Sequence, residues 1–323
     1  MSKPKLAIYW ASSCGGCDIS ILDIEEKILA VADFFDVVFW PCAMDTKYDD
    51  VRAMPDKSIT LTLFNGAIRT SENFELAELL RQKSAALVAF GSCAGEGCIP
   101  ALANFYDKAS IIDYVYHKSP STANTENTEP QPEVQVAEGT ITIPKLWNTV
   151  RTLDQVVEVD YYIPGCPPQS DQIINAVMAV IDILQNNKAL PPKGTVLGAT
   201  DKSCCDECPR ERNIKKIKSF IRPFEKATNP NLCLMEQGIV CVGPATRSGC
   251  GAKCVKAGVA CRGCYGLPAN INDQGAKMVS ALASVIDSTD PEEIEQIIRT
   301  IPDPIGTFYR FSMARSLLRR VQV

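Results

Sequence analysis

The segment "KLAIYWASSCGGCDISILDIEEKILAVA", Lys5 to Ala32, changes texture twice. Lys5 to Trp10 is a short apolar run rich in aromatic and branched residues, which predicts a strand. From Asp18 to Ala32 the apolar residues recur at helical spacing. Between the two, a glycine turn carries the thiols of Cys14 and Cys17. A CxxC on such a turn suits a redox disulfide, half of a zinc site or half of an iron-sulfur site. The remaining cysteines choose between them.

The alternation continues along the chain. "DVVFW" (Asp36 to Trp40), "ITLTLF" (Ile59 to Phe64), "AALVAF" (Ala85 to Phe90) and "EVDYYI" (Glu158 to Ile163) predict further strands. "SENFELAELLRQK" (Ser71 to Lys83) and "SDQIINAVMAVIDILQN" (Ser170 to Asn186) predict helices with Ser or Asp available as N-caps. Alternating β and α elements build an open, mostly parallel sheet with helices on both faces. The expected fold class is α/β, a flavodoxin-like doubly wound parallel sheet over residues 1–190, followed over 198–323 by a small cysteine-rich domain with C-terminal helices. The proline-bearing stretch "ALPPKGTVLG", Ala189 to Gly198, reads as the linker. His117 to Thr140 is rich in Ser, Thr, Asn, Glu and Pro and reads as a long surface insertion, solvated or in contact with a partner. After Cys264, "NDQGAKMVSALASVID", "PEEIEQIIRTI" and "FYRFSMARSLLRRV" carry helical patterns, the arginines of the last forming a solvated face or an acidic-partner contact.

Composition narrows the function class. A chain of 323 residues with 46% hydrophobic and 22% charged content has material for two domains and a buried core. A net charge of -5 gives no basic footprint for nucleic acid. "MSKPKLAIYW" lacks the apolar core of a signal peptide, and no apolar run is long enough to cross a bilayer, so a cytoplasmic, non-membrane-spanning protein is expected. In that setting fifteen cysteines point to metal rather than to disulfides.

Cys14 and Cys17 follow the first predicted strand, Cys93 follows "AALVAF" in "GSCAGEG", and Cys166 follows "EVDYYI" in "IPGCPP". Loops at the carboxyl ends of parallel strands line one crevice, so these four thiols are expected to form one four-thiolate site. A thioredoxin-like pair leaves Cys93 and Cys166 unexplained, and a structural zinc takes closely spaced ligand pairs from small knuckles, so iron-sulfur is the preferred reading. Cys42 and Cys98 are expected to fill the core, as free cysteines commonly do. Nine thiols fall between Cys204 and Cys264. With one of the adjacent pair Cys204 and Cys205 set aside, eight remain. By order, Cys205, Cys208, Cys233 and Cys241 form one group of four, and Cys250, Cys254, Cys261 and Cys264 the other. Two zinc ribbons satisfy the same arithmetic.

"SSCGGCDIS", "GSCAGEGC" and "IPGCPP", in this order and on these strand ends, resemble the small, electron-transferring subunit of nickel-iron hydrogenases and its relative in respiratory complex I. "CDECPRER", "GPATRSGCGAKC" and "CRGC" look most like the methyl-viologen-reducing group, whose complexes serve heterodisulfide reductases or other cytoplasmic acceptors. The resemblance covers nearly the whole chain. It implies three [4Fe-4S] clusters: a proximal one on Cys14, Cys17, Cys93 and Cys166 facing a separate nickel-iron large subunit, a medial one on Cys250, Cys254, Cys261 and Cys264, and a distal one on Cys205, Cys208, Cys233 and Cys241. It also implies a further iron-sulfur or flavin acceptor subunit, with a heterodisulfide reductase complex as one candidate, and no nickel ligand or catalytic residue in this chain.

Three positions depart from the wider family pattern. Cys205 stands where many periplasmic relatives carry histidine, and the single histidine, His117, lies in the insertion. Cys254 stands where many carry proline and hold a three-iron medial cluster. Ser13 stands where many carry a glutamate credited with proton relay. A complex I-type quinone-coupling subunit normally has adjacent proximal cysteines and lacks the cysteine-rich second half. A zinc-stabilised interaction module is the other alternative.

Overall fold

The structure, a computed structural model, describes residues 3–213 and 216–318. Ten strands are found among them: β1 (Lys5–Trp10), β2 (Asp36–Phe39), β3 (Ile59–Asn65), β4 (Ile68–Thr70), β5 (Ser84–Phe90), β6 (Glu133–Val136), β7 (Gly139–Thr142), β8 (Leu146–Arg151), β9 (Tyr161–Ile163) and β10 (Thr195–Val196). Six of them form a parallel sheet in the order β10-β9-β5-β3-β1-β2. The five predicted strands are all present and all in this sheet. Because the chain leaves β1 first towards β2 and then back towards β3, the order reverses beside β1, and a crevice opens at the carboxyl ends there.

The strands are held as their composition dictates. Phe39, Phe64, Leu76, Leu80 and Leu87 are fully buried on one side of the sheet, and Ile8, Val88, Phe90 and Ile163 on the other. A helix over Ser71–Lys83 begins where predicted, with the Thr70 hydroxyl accepting from the Asn73 amide at 3.2 Å. Its buried residues Leu76 and Ala77 lie one turn before Leu80, on one face, as an amphipathic helix requires. The helix over Ser170–Gln185 covers the opposite face with Ile173 and Ile181.

Four expectations change. The helix predicted from Asp18 to Ala32 is broken into Gly16–Leu22, a 3-10 turn at Glu25–Lys27 and Ile28–Phe34, and the break turns Ile21, Ile24 and Val31 all into the core. The segment read as a linker contributes β10, which pairs with β9. The insertion contains an exposed antiparallel hairpin, β6 with β7. "FYRFSMARSLLRRV" is a 3-10 turn at Met313–Arg315 after a short helix at Pro304–Phe308; Arg319 and Arg320 lie outside the described residues.

The cysteine-rich half is made of loops and short helices, as its glycines suggest, but it carries more apolar core than its composition advertises. Phe220, Met235, Val242, Met278, Leu282, Ile297, Phe308 and Met313 pack into one cluster that also takes in Ala67, Ala101 and Val150 from the first half.

Asp160, which enters β9, ties this strand to its neighbours. Its carboxylate receives Arg81 Nη1 at 2.5 Å, the Leu87 amide at 2.8 Å and Lys193 Nζ at 3.0 Å. Burial works to raise its pKa, but these three donors outweigh it and hold the carboxyl below the ordinary aspartate value. A folded-state pKa below the unfolded one, about 3.9, means that the contribution is complete above that pH and is lost as pH falls through the lower folded value. Asp160→Asn is therefore expected to cost on the order of 1.5–3 kcal/mol at pH 7 and to flatten the loss of stability below about pH 4. Denaturant unfolding of the intact chain across that range measures both.

Candidate functional site

The loops after β1, β5 and β9 meet in the crevice. Gly15 caps the helix Gly16–Leu22 at φ 79, and a Cβ there would lie 2.9 Å from the Trp10 ring, so only glycine closes this turn and brings Cys14 and Cys17 round. The Gly16 amide approaches Cys14 Sγ at 3.4 Å. Asp18, buried beside Cys17, is fixed by Trp40 Nε1 at 2.9 Å and Asn65 Nδ2 at 2.7 Å. Gly91 sits against Cys17 so closely that a Cβ would fall 2.4 Å from Sγ. The Gly91 amide donates to the Ile163 carbonyl at 2.8 Å and the Ser92 amide to the Gly165 carbonyl at 2.7 Å, which joins the Cys93 loop to the Cys166 loop.

A fifth thiol belongs here. Cys98 is buried, and its sulfur lies 3.7 Å from Cys166 and in contact with Cys93. It is buried against Phe311, as expected of a core cysteine, and at the same time touches the crevice thiols, on a backbone at φ 49 that follows Gly97 at φ 86. The other expected core cysteine, Cys42, is exposed, with its thiol beside Asp18. The burial of Cys98 was legible and its neighbours were not; Cys42 was misplaced because the buried residue there is Trp40, two positions before it. Burial, then Cys166 and Cys14, push the Cys17 thiol up to about 12, and the contact with Cys98 and burial push Cys166 higher still.

In the second half, a cavity of about 470 Å³ is lined by Cys205, Cys208, Cys233 and Cys241, together with Cys204 and Arg212. Arg210 is buried and donates to the carbonyls of Asn229, Leu232 and Val255 at 2.8, 3.0 and 3.3 Å, so one guanidinium holds the loop that carries Cys233 and the helix that carries Cys254. Burial pushes Cys205 up to about 11, against the pull of Arg212. The other four thiols lie in one another's fields: burial, then Cys261, Cys166, Cys250 and Cys254, raise Cys264 to about 12. Cys250 is held on its loop by Glu207, whose two carboxylate oxygens accept the Gly249 and Gly251 amides at 2.8 and 2.9 Å.

The three thiol groups adjoin one another. Cys264 packs on Cys93 and Cys98, and the Ser92 hydroxyl donates to its carbonyl. At the other side, the Val242 amide donates to the Cys261 carbonyl at 2.9 Å, and a Cβ at Gly243 would meet the Cys205 and Cys241 sulfurs at 3.1 and 3.6 Å. Among the described residues no three His, Cys, Asp or Glu side chains draw together tightly enough for a single metal ion. Thiols held up by burial and by one another, as Cys17 and Cys264 are, become thiolates readily around positive charge, while hydrogen bonding lowers Cys250 and Cys261. A polynuclear iron-sulfur group meets that need and reaches thiols on separate loops, so the residues fit it; a mononuclear zinc finds no ready cage.

Outside these groups, Ser13 Oγ lies 3.0 Å from Asn65 Oδ1, and His117 Nε2 lies 2.7 Å from Glu129 in the insertion. Arg315, expected on a solvated face or against an acidic partner, turns inward to the Gly95 carbonyl and to Asp154 of its own chain. No helix among the described residues is long and apolar enough to cross a membrane.

Residues 14–180 match the family model of the NADH ubiquinone oxidoreductase 20 kDa subunit. The chain is 38% identical to the iron-sulfur subunit of the F420-non-reducing hydrogenase of Archaeoglobus profundus, with 98% of each chain covered. It is also 38% identical to the corresponding subunit of the F420-non-reducing hydrogenase of Methanothermobacter marburgensis, over 98% of this chain and 96% of that one. In fold it is similar to a chain of the [NiFeSe] hydrogenase of Desulfovibrio vulgaris Hildenborough in the oxidised state, with a TM-score of 0.52, 16% identity, and 82% of this chain and 94% of that one covered.

Gly91→Ala forces Cys17 Sγ away and places alanine at φ 83. Iron per chain after anaerobic purification is expected to fall relative to the unsubstituted protein; unchanged iron would remove Cys17 from the ligand set.

Proposed function

We propose that this chain, which belongs to the family of the NADH ubiquinone oxidoreductase 20 kDa subunit together with its relatives in the F420-non-reducing hydrogenases and is thus a hydrogenase subunit, is the electron-transfer subunit of a cytoplasmic [NiFe] hydrogenase. The observation that carries the reading is the adjacency of three thiol groups, joined by the Ser92 to Cys264 bond on one side and by the Val242 to Cys261 bond on the other. Cys14, Cys17, Cys93 and Cys166 would hold the proximal cluster, Cys250, Cys254, Cys261 and Cys264 the medial one, and Cys205, Cys208, Cys233 and Cys241 the distal one. When bound, the three [4Fe-4S] groups supply one-electron redox chemistry.

The chain's own contribution is position and insulation. Glycines at 15 and 91 let backbone approach the proximal sulfurs; Glu207 and Arg210 hold the second-half loops; burial sets the surroundings on which cluster potentials depend. Hydrogen splitting belongs to the partner large subunit, which would dock at the crevice where Cys14 and Cys166 are exposed. An iron-sulfur or flavin subunit would accept electrons beside the Cys205 group, a heterodisulfide reductase complex being one candidate. Cysteine at 205, where histidine is common among periplasmic relatives, makes the distal group all-thiolate and favours a lower potential.

Anaerobically purified protein is expected to contain about 12 irons and as many acid-labile sulfides per chain, and to bring down a nickel-containing subunit. Stoichiometric zinc with little iron would exclude the proposal, since it would leave only a zinc-stabilised module. Cys254→Pro removes one medial thiolate. It is expected to give a three-iron signal in the oxidised state by electron paramagnetic resonance, with activity retained towards high-potential dyes and reduced towards low-potential ones. An unchanged iron count would show that Cys254 is not a ligand.

A further inference from the structure

Charge is unevenly spread along this chain. Carboxylates outnumber the lysines and arginines 38 to 33 overall, yet between Ile214 and Lys226 five cations, Lys215, Lys216, Lys218, Arg222 and Lys226, stand against one carboxylate, Glu225. Lys215 lies outside the described residues, and the other four are exposed. Little neutralises them. Lys216 Nζ donates to the Ser284 carbonyl at 2.7 Å, Lys218 Nζ lies 3.9 Å from Glu293 Oε1, and Arg222 and Lys226 form no ion pair among the described residues. Glu225 turns its carboxylate back onto the Arg222 amide at 3.0 Å. Phe224, between Arg222 and Lys226, is 82% exposed, more than any other large apolar side chain among the described residues.

Three of these cations border a surface groove of about 510 Å³, which Lys216, Lys218 and Lys226 line together with Leu232, Glu236 and Gln237. Its base is fixed. The Ile221 amide donates to the Gly238 carbonyl at 2.8 Å, and a Cβ at Gly238, which sits at φ 82, would fall 2.8 Å from the Ser219 carbonyl oxygen. Glu236, the one carboxylate lining the groove, is buried, and its two oxygens accept the Asn213 amide at 2.9 and 3.1 Å. Gln237 Nε2 donates to the Leu232 carbonyl at 2.9 Å and lies 3.3 Å from that of Cys233. A side chain that lines the groove therefore holds the peptide of a thiol in the Cys205 group.

We propose that this cationic face, Lys216 to Lys226 with the groove beside it, docks an acidic surface of the electron-accepting subunit, which rests on the reading under Proposed function that electrons leave at the Cys205 group. Crowded like charges repel one another and cost stability, a cost that an oppositely charged partner removes. Complementary charge also steers the encounter and fixes its orientation. Arginine and exposed aromatic side chains are the usual anchors of a protein interface, and Arg222 and Phe224 supply both. The position favours an electron acceptor over other acidic partners, because Leu232 and Gln237 belong to the groove and to the Cys233 loop alike. A second copy of this chain seated here would set two distal groups side by side and carry no electron onward.

The test treats the anaerobically purified complex with a carbodiimide, which joins a lysine amine to a carboxylate in contact with it as an amide, the carbodiimide taking up the water. Mass spectrometry is expected to find Lys218 or Lys226 joined to Asp or Glu of a subunit that carries iron-sulfur or flavin, with fewer links as salt rises. Lys218→Glu combined with Lys226→Glu is expected to keep the iron and sulfide count of this chain and to weaken retention of that subunit on dilution by about tenfold or more. No link from either lysine, links only to the nickel-containing subunit or to a second copy of this chain, or unchanged retention in the variant would overturn the inference. Binding of the complex to phosphatidylserine vesicles that the double substitution abolishes would overturn it in favour of a lipid surface. A complex whose small chain holds little iron would overturn the cluster reading instead, a failure visible before any link is sought.

Discussion

Sulfur atoms buried side by side set the terms for this molecule. A thiolate in a dry site is costly, and each neighbouring thiolate makes the next harder to form, as the raised Cys17, Cys166, Cys241 and Cys264 show. Such a group is stable as protonated thiols or as thiolates around positive charge, and the second state is the one the proposed clusters would supply. The second-half loops that bring them together bury a small apolar cluster of their own, with Leu234, Ile239 and Val255 packed beside Cys241 and Cys261. They are held by hydrogen bonds to backbone: Glu207 on two glycine amides, Arg210 on three carbonyls, Ser92 on the Cys264 carbonyl. These charged and hydroxyl groups do for the thiol loops what side-chain packing does for the sheet.

Much of the first half was legible because its signals are local. Runs such as "ITLTLF" are too short and too rich in branched residues for anything but buried strands, and the cysteines follow them at once, so a parallel sheet brings the thiols to one end. What could not be read depended on direction. Which thiols Cys98 meets is settled by the turn at Gly97, and how the adjacent Cys204 and Cys205 both come to line one cavity is settled by a 3-10 turn of three residues. The two-residue strand β10 left no periodicity to find, and its flanking prolines spoke for a linker.

The C-terminal segment misled for another reason. Its arginines look like a charged helix face, yet Arg315 reaches the Gly95 carbonyl and pairs with Asp154, while Gln155 Nε2 donates to the Ala314 carbonyl at 2.9 Å. Partners lying far back in the sequence turned a surface pattern into an internal strap. Tyr162 completes it, donating to Asp154 at 2.8 Å from the strand that carries the Cys166 loop.

That strap bears on how the thiol groups keep their spacing. Gly97 lies against Ala314 so closely that a Cβ would fall 2.4 Å from the alanine methyl, and Phe311 packs directly on Cys93 and Cys98. The last segment of the second half is therefore seated in the loop that presents a first-half thiol. The shared apolar cluster from Ala67 to Ala314 closes the same joint on its other side. A chain whose two halves met only through β10 and the adjoining linker would leave the gap between Cys93 and Cys264 free to vary. Here the gap is bounded by close-packed side chains, which resist small displacements far more than a loop does. The electron transfer proposed for this chain would need constancy of that kind, and the core that Met278, Ile297, Phe308 and Met313 give to a half so rich in glycine and cysteine supplies it.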